Sequence, residues 1–338
     1  MKLKNSNNRR LVLSAGFAAV VLALTACGGT AASTEPSESN KRIEVEGAMP
    51  EPADPSTVKE YTSVASIKSD ATAASLVPKK IRDKGVIVFG VSPTAAPTTF
   101  VSTDGHSYVG MNADISRALG RILDIQISHK STTFDALIPG LQAKRFDAAI
   151  ADMGVTLPRL EVIDLVGYAR GGFGIATKVG NPLNIGEKTM CGHKVAVTLG
   201  STQAVTKGPA YSAECEANGK PAINLISVPN QQEMYLQLRS GQVDAAYTDA
   251  VGAGWAAKQN PNEVELGARI PGTVLSMALP KDSELTPAVV AAIKHFSTLP
   301  EYKEILTKWG MESAILDAKY LDSYKEIPSP PLAPQPAK

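Results

Sequence analysis

Apolar positions along the chain change period several times, and each change marks a switch between strand and helix. Gly85–Val91 is a near-continuous apolar run that predicts a buried strand, after which Ile115, Leu119, Ile122 and Leu123 fall on one helical face. A short strand at Ile125–His129, a helix at Asp135–Lys144 and a buried strand at Phe146–Ala151 follow. Pro139 must sit in the first turn of that helix or kink it, because a later position removes a backbone hydrogen bond. After an apolar stretch at Phe173–Thr177 the alternation recurs: strand Lys194–Val197, a helix after Ser201, strand Ile223–Val228, helix Gln232–Arg239 and strand Val243–Tyr247. Two helices close the pattern. Thr286 is expected to cap the first, with Pro287 at its first position. Gly310 is expected to end the second, whose apolar face is Tyr302, Ile305, Leu306 and Trp309. This alternation predicts an α/β fold with mainly parallel sheets.

The two ends of the chain lack such periodicity. Lys2 to Arg10 is a basic stretch and Leu11–Leu24 a 14-residue apolar run. As helix that run spans about 21 Å, short of the roughly 30 Å hydrocarbon core, so it reads as a signal peptide over residues 1–26 rather than a membrane span. Leu24-Thr25-Ala26-Cys27 resembles the bacterial lipobox, in which cleavage precedes a cysteine that is then acylated. Cys27 is therefore expected to be a lipid anchor holding the protein on the extracytoplasmic face of a bacterial cell membrane. From Thr30 to about Thr57 the chain is rich in Ala, Ser, Thr, Glu and Pro, so residues 27–75 are expected to form a flexible tether. Residues 326–338 make a Pro-rich tail.

Charge narrows the range of partners. The 34 Lys and Arg nearly balance 33 Asp and Glu, which leaves no basic footprint for nucleic acid. Loss of residues 1–26, with Lys2, Lys4, Arg9 and Arg10, takes the formal charge from +1 to about −3. With Cys27 acylated, Cys191 and Cys215 remain in a chain exported to where disulfides persist. They are expected to pair; two buried free thiols are the alternative. The four histidines, His106, His129, His193 and His295, are scattered without ligand spacing, so neither a metal nor a cofactor is expected. At 338 residues the chain is long enough for about two domains.

One internal echo bears on function. Lys144-Arg145-Phe146-Asp147-Ala148-Ala149-Ile150-Ala151-Asp152 matches Ser240-Gly241-Gln242-Val243-Asp244-Ala245-Ala246-Tyr247-Thr248-Asp249 with one insertion. Each copy runs from a helix through Asp-Ala-Ala and an apolar strand to an aspartate at the strand's carboxyl end. Two similar lobes would bring both acids to a shared cleft, since open α/β sheets bind ligands at that edge. Coincidence in a short βα pattern is the other reading.

Phe134-Asp135-Ala136-Leu137-Ile138-Pro139-Gly140-Leu141-Gln142-Ala143-Lys144-Arg145-Phe146-Asp147-Ala148-Ala149-Ile150 carries a stronger signal. With Val155-Thr156-Leu157-Pro158-Arg159 and Gly200-Ser201-Thr202-Gln203, it resembles the polar amino-acid-binding proteins of ABC importers, solute-binding family 3. The resemblance implies a two-lobed clamshell with two hinge strands, near Arg170–Ile175 and Gly272–Ala278. Residues 76–172 and 276–325 would form one lobe and 173–275 the other. It implies a protein, expected to be monomeric, that closes on an amino acid or related amine-carboxylate and delivers it to permease and ATPase subunits. By the same resemblance Arg159 and Thr202 bind the ligand carboxylate, Asp249 its ammonium, and Phe134 packs on its side chain. Chemistry agrees: an arginine fork suits a carboxylate, and the N–H groups of a helix opened by Ser201 and Thr202 suit an anion. Gln203 is a weaker candidate beside them. Each of these residues also has an ordinary structural reading: a helix cap for Asp249, Ser201 and Thr202, core for Phe134, a surface arginine for Arg159, and a solvent-facing position for Gln203.

Four positions depart from the family pattern. Relatives that bind lysine, arginine or ornithine carry an acid where Ser92 stands and an aromatic lid where Ala95 stands. Their loss argues against a copied basic-amino-acid pocket. Asp152 and Gly154 replace residues that are often a small hydroxyl or glycine and a Ser or Thr. Asp152 either answers a second cationic group on the ligand or pairs with a protein cation and faces away. Two alternatives share the fold: a dehydratase of the cyclohexadienyl type using cleft carboxylates, and a ligand-sensing lipoprotein. Catalysis is not expected, because Asp249 already has a binding role and no H-E-x-x-H, G-x-S-x-G, P-loop or G-x-G-x-x-G sequence is present.

Overall fold

The computed structural model describes residues 62–327 except 312 and 313. Three short helices, α1 (Thr62–Ala65), α2 (Ala71–Ser75) and α3 (Lys79–Lys84), lead into β1 (Val86–Val91). β2 (Thr94–Ala95), β3 (Thr99–Val101) and β4 (Tyr108–Val109) form a small antiparallel sheet, followed by α4 (Met111–Ile122), β5 (Gln126–Ser131), α5 (Leu137–Gln142), β6 (Ala148–Gly154) and α6 (Leu157–Val162). β7 (Ile163–Lys178) crosses to β8 (Lys194–Thr198), α7 (Gly208–Ala217), β9 (Asn224–Val228), α8 (Gln231–Ser240), β10 (Ala245–Asp249) and α9 (Ala250–Gln259). β11 (Val264–Pro280) crosses back to α10 (Thr286–Phe296) and α11 (Pro300–Lys308).

Among the described residues, eight strands hydrogen-bond in the order β5-β1-β6-β11-β7-β10-β8-β9. β7 and β11, 16 and 17 residues long, pair antiparallel along their length and belong to both halves of the molecule. Their Ile163–Arg170 and Val274–Pro280 parts extend the parallel set β5-β1-β6; their Gly172–Lys178 and Val264–Pro271 parts extend β10-β8-β9. The result is a two-lobed α/β clamshell with two shared strands. Each lobe has its own core: the first gathers β1, α4, α10 and α11, the second packs apolar clusters around β8 and β10. β1 is buried along its whole length, as a central parallel strand covered on both faces must be.

The crossing is built around glycine. The β7–β11 register slips by one residue between the pairs Gly172–Pro271 and Arg170–Val274. A Cβ on Gly272 would lie 2.1 Å from the Gly171 carbonyl oxygen, so only glycine lets the two backbones pass this close.

Several boundaries differ from the sequence pattern. The expected tether ends earlier than residue 75, because α1 and α2 are folded: Val64, Ile67 and Ala73 are buried in the first lobe's core. Asp70 caps α2 through the amide of Ala73 at 2.7 Å. Helices of four and five residues are too short to stand alone, so tertiary docking rather than periodicity makes them. Thr286 is the first residue of α10 rather than its cap; Leu285 holds that position and the Thr286 hydroxyl donates to Asp164 Oδ2 at 2.8 Å. Cys191 and Cys215 are joined by a disulfide, with 5.6 Å between their Cα atoms. Cys27, the signal segment and most of the expected tail lie outside the described residues. Among the described residues no helix is long and apolar enough to cross a membrane, and no group of three or more His, Cys, Asp or Glu is placed to hold a metal.

Candidate functional site

All nine residues proposed from sequence as ligand contacts line one cleft of about 740 Å³, counting the solvent at its mouth. One lobe brings Ser92 from the end of β1, Phe134 from the turn before α5, Asp152 and Gly154 from β6, and Arg159 from α6. The other brings Ser201, Thr202 and Gln203 after β8, and Asp249 from the end of β10. These are mostly carboxyl ends of strands, where an open α/β sheet leaves its crevice. The two copies of the sequence echo become β6 and β10, each lying next to a shared strand.

Arg159 links the two walls. Its Nη1 donates to the Gly154 carbonyl at 2.8 Å and to Thr202 Oγ1 at 3.3 Å, and its Nη2 to the Gly200 carbonyl at 3.1 Å. The guanidinium carbon lies 5.6 Å from the centre of the Phe134 ring, a cation–π contact. Arg159 is buried, and loss of hydration lowers its pKa to about 10, which leaves it charged at any ordinary pH. No carboxylate among the described residues forms an ion pair with it.

Asp249 does two jobs. Oδ1 caps α9 by accepting the amide of Gly252, and Oδ2 accepts Nε2 of Gln231, the first residue of α8. The helix-cap reading is therefore correct and compatible with a place in the cleft. Ser201 caps the next turn in the same way, its Oγ accepting the Ala204 amide at 3.1 Å.

Asp152 faces the cleft and pairs with no cation among the described residues. Between the β6–β11 pairs Ile150–Met277 and Met153–Ser276, β6 carries two extra residues, Ala151 and Asp152. This bulge puts Asp152 at φ 56°, a left-handed conformation that costs a non-glycine residue on the order of 1 kcal/mol or more and re-aims its side chain. The carboxylate accepts Asn112 Nδ2 at 3.2 Å and the Tyr168 hydroxyl at 3.0 Å. Burial, and next the charge of Asp249, raise its pKa to about 6; hydrogen bonds from Thr98, Tyr168 and Asn112 act the other way. Asn112, Tyr168 and Gln231 escaped the sequence reading. Asn112 and Tyr168 occupy positions that read as core, and only Gln231, opening a helix just past a strand's carboxyl end, carried a usable signal.

A buried cation and two carboxylates without ionic partners among the described residues, set on two lobes around one crevice, have the arrangement of a binding protein for a small ligand. The profile of bacterial extracellular solute-binding proteins, family 3, matches residues 87–312, and the chain belongs to that family. It is 28% identical to the arginine-binding protein ArgT of Corynebacterium glutamicum over 244 residues, 72% of this chain and 80% of that protein. Among solved structures, an ancestral arginine-binding protein bound to arginine superposes with a TM-score of 0.61 at 30% identity, covering 67% of this chain and 98% of that one. An ancestral amino acid-binding protein, a precursor of cyclohexadienyl dehydratase, superposes with a TM-score of 0.58 at 26% identity, covering 70% and 99%.

Proposed function

We propose that this chain captures an L-amino acid or related amine-carboxylate and delivers it to the permease of an ABC importer, from a lipid anchor at Cys27 on the outer face of the cell membrane. The observation that carries the reading is the buried guanidinium of Arg159, which has no counter-ion among the described residues and sits across the cleft from Asp249. A ligand α-carboxylate would take the free donors of Arg159 and the Thr202 hydroxyl; its α-ammonium would take the outward lone pairs of Asp249. Burying either group unpaired would cost several kcal/mol, so only a ligand carrying both charges lowers the energy of the closed site. Binding across both lobes is also what biases closure, because equal affinity for open and closed states shifts nothing. The names of the relatives, arginine-binding and amino acid-binding, support the ligand class.

A thermal-shift panel on protein stripped of carried ligand by unfolding and refolding tests this. A specific amino acid at 1,000 times its Kd adds about 4 kcal/mol of stability and raises the melting temperature by several degrees. Silence across the L-amino acids and simple amines would overturn it. A buried carboxyl titrating near 6 also suits a general acid, and one solved neighbour is a dehydratase precursor. A change in ligand mass after incubation would replace capture with turnover.

A further inference from the structure

Capture of one α-ammonium and one α-carboxylate uses Asp249 and Arg159 and leaves Asp152 unexplained. The chain keeps this carboxylate inside the cleft at the cost of a left-handed backbone and of a second acid nearby. Its supports are neutral and rigid. Asn112 and Tyr168 are fully buried, Asn112 Nδ2 also reaches Thr99 Oγ1 at 3.0 Å, and the Tyr168 hydroxyl lies 2.8 Å from Asn112 Oδ1. This bracket fixes the carboxylate but supplies no charge to balance it. The same lobe lines the cleft with Ser92, Thr94 and Ala95, small side chains that leave length for the side chain of a ligand.

We infer that Asp152, held by Asn112 and Tyr168, is the specificity-determining residue that receives a second positive charge at the end of the ligand side chain. The site then selects a cationic amino acid over a neutral one of the same shape. It does so from the β6 bulge rather than from the position of Ser92. Asn112 and Tyr168 are positioning residues, acting through Asp152. The inference rests on the amino-acid reading above.

Calorimetry with matched pairs tests it: L-arginine against L-citrulline, whose ureido group is neutral, and L-lysine against L-norleucine, which lacks the ammonium. The stripped wild-type protein is expected to prefer one cationic member by about 10- to 100-fold over its neutral partner. Asp152→Asn should remove most of that preference by weakening the cationic ligand alone, and Tyr168→Phe should reduce it in the same direction, with the melting temperature of Asp152→Asn no lower than wild type. Equal binding of both members by wild type, or equal weakening of both in Asp152→Asn, would overturn the inference while leaving amino-acid capture in place. Failure of every amino acid to bind wild type would overturn both.

Discussion

Arg159, on a helix of one lobe, donates to the hydroxyl of Thr202 in the other lobe at 3.3 Å. That contact spans the cleft, so a single side chain joins the two walls and, on the proposed reading, offers an anion site as well. Its remaining hydrogen-bond partners are the Gly154 and Gly200 carbonyls, which water can serve in its place. Arg159→Ala should therefore leave the fold intact and weaken amino-acid binding by about 2–5 kcal/mol, the range for truncating one partner of a buried charge pair. Arg159→Lys should recover only part of the loss, because an ammonium cannot reproduce the two-pronged donation. Calorimetry on the two variants checks this, and unchanged affinity in Arg159→Ala would remove Arg159 from the site.

The disulfide sits in the second lobe, with Cys215 buried against the β8–β10 cluster. It closes a loop of 24 residues, for which chain entropy gives about 3–4 kcal/mol. Cys215→Ser should lower unfolding stability by about that amount, and reductant should have little further effect on the variant. Urea melts with and without reductant measure both. Equal stability of wild type and variant would mean that packing alone holds α7 in place.

The alternating pattern made the lobes legible because each strand and helix buries a face that its own period displays. The cleft residues were legible because they cluster at strand ends and in short motifs such as Thr156–Arg159. Asn112 and Tyr168 were not, since a buried side chain that braces another looks in sequence like any core position. The docking of Val64 and Ile67 was also hidden: two apolar residues in a polar stretch, one in α1 and one just after it, take up fixed places only because the first lobe offers somewhere to bury them. Whether Asp152 faced in or out depended on a two-residue bulge, and a bulge leaves no mark on a period of two.

Gly272 marks where the shared strands pass from one lobe to the other. A methyl group there meets the Gly171 carbonyl at 2.1 Å and the Gly172 Cα at 2.3 Å, both of them backbone atoms that cannot turn aside. Gly272→Ala should lower stability by about 1–3 kcal/mol, the usual cost of overpacking, and change the lobe angle. Urea melts give the first, and the scattering radius with and without ligand gives the second. Wild-type stability together with a wild-type change in radius on binding would show that the crossing has slack the geometry does not suggest.

Asp152 makes stability depend on pH, and the sign follows from its environment. Asp249 and Tyr168 are the titratable groups acting on it, and Asn112 and Thr98 contribute neutral donors. Burial and Asp249 raise its pKa from 3.8 to about 6, so between those values the folded protein holds a proton that the unfolded chain has released. Unliganded stability must then fall as pH rises through that window and level off above it, a total of about 3 kcal/mol at 1.36 kcal/mol per unit. Asp152→Asn removes this penalty. At pH 7 the unliganded variant should be more stable than wild type by up to about 3 kcal/mol, and the gap should close towards pH 4. Urea melts of both proteins across that range measure it. A saturating cationic amino acid should reverse the order at pH 7, because only the wild-type carboxylate gains from the added charge. If the unliganded variant were no more stable than wild type at pH 7, Asp152 would already be neutralised by something within the fold.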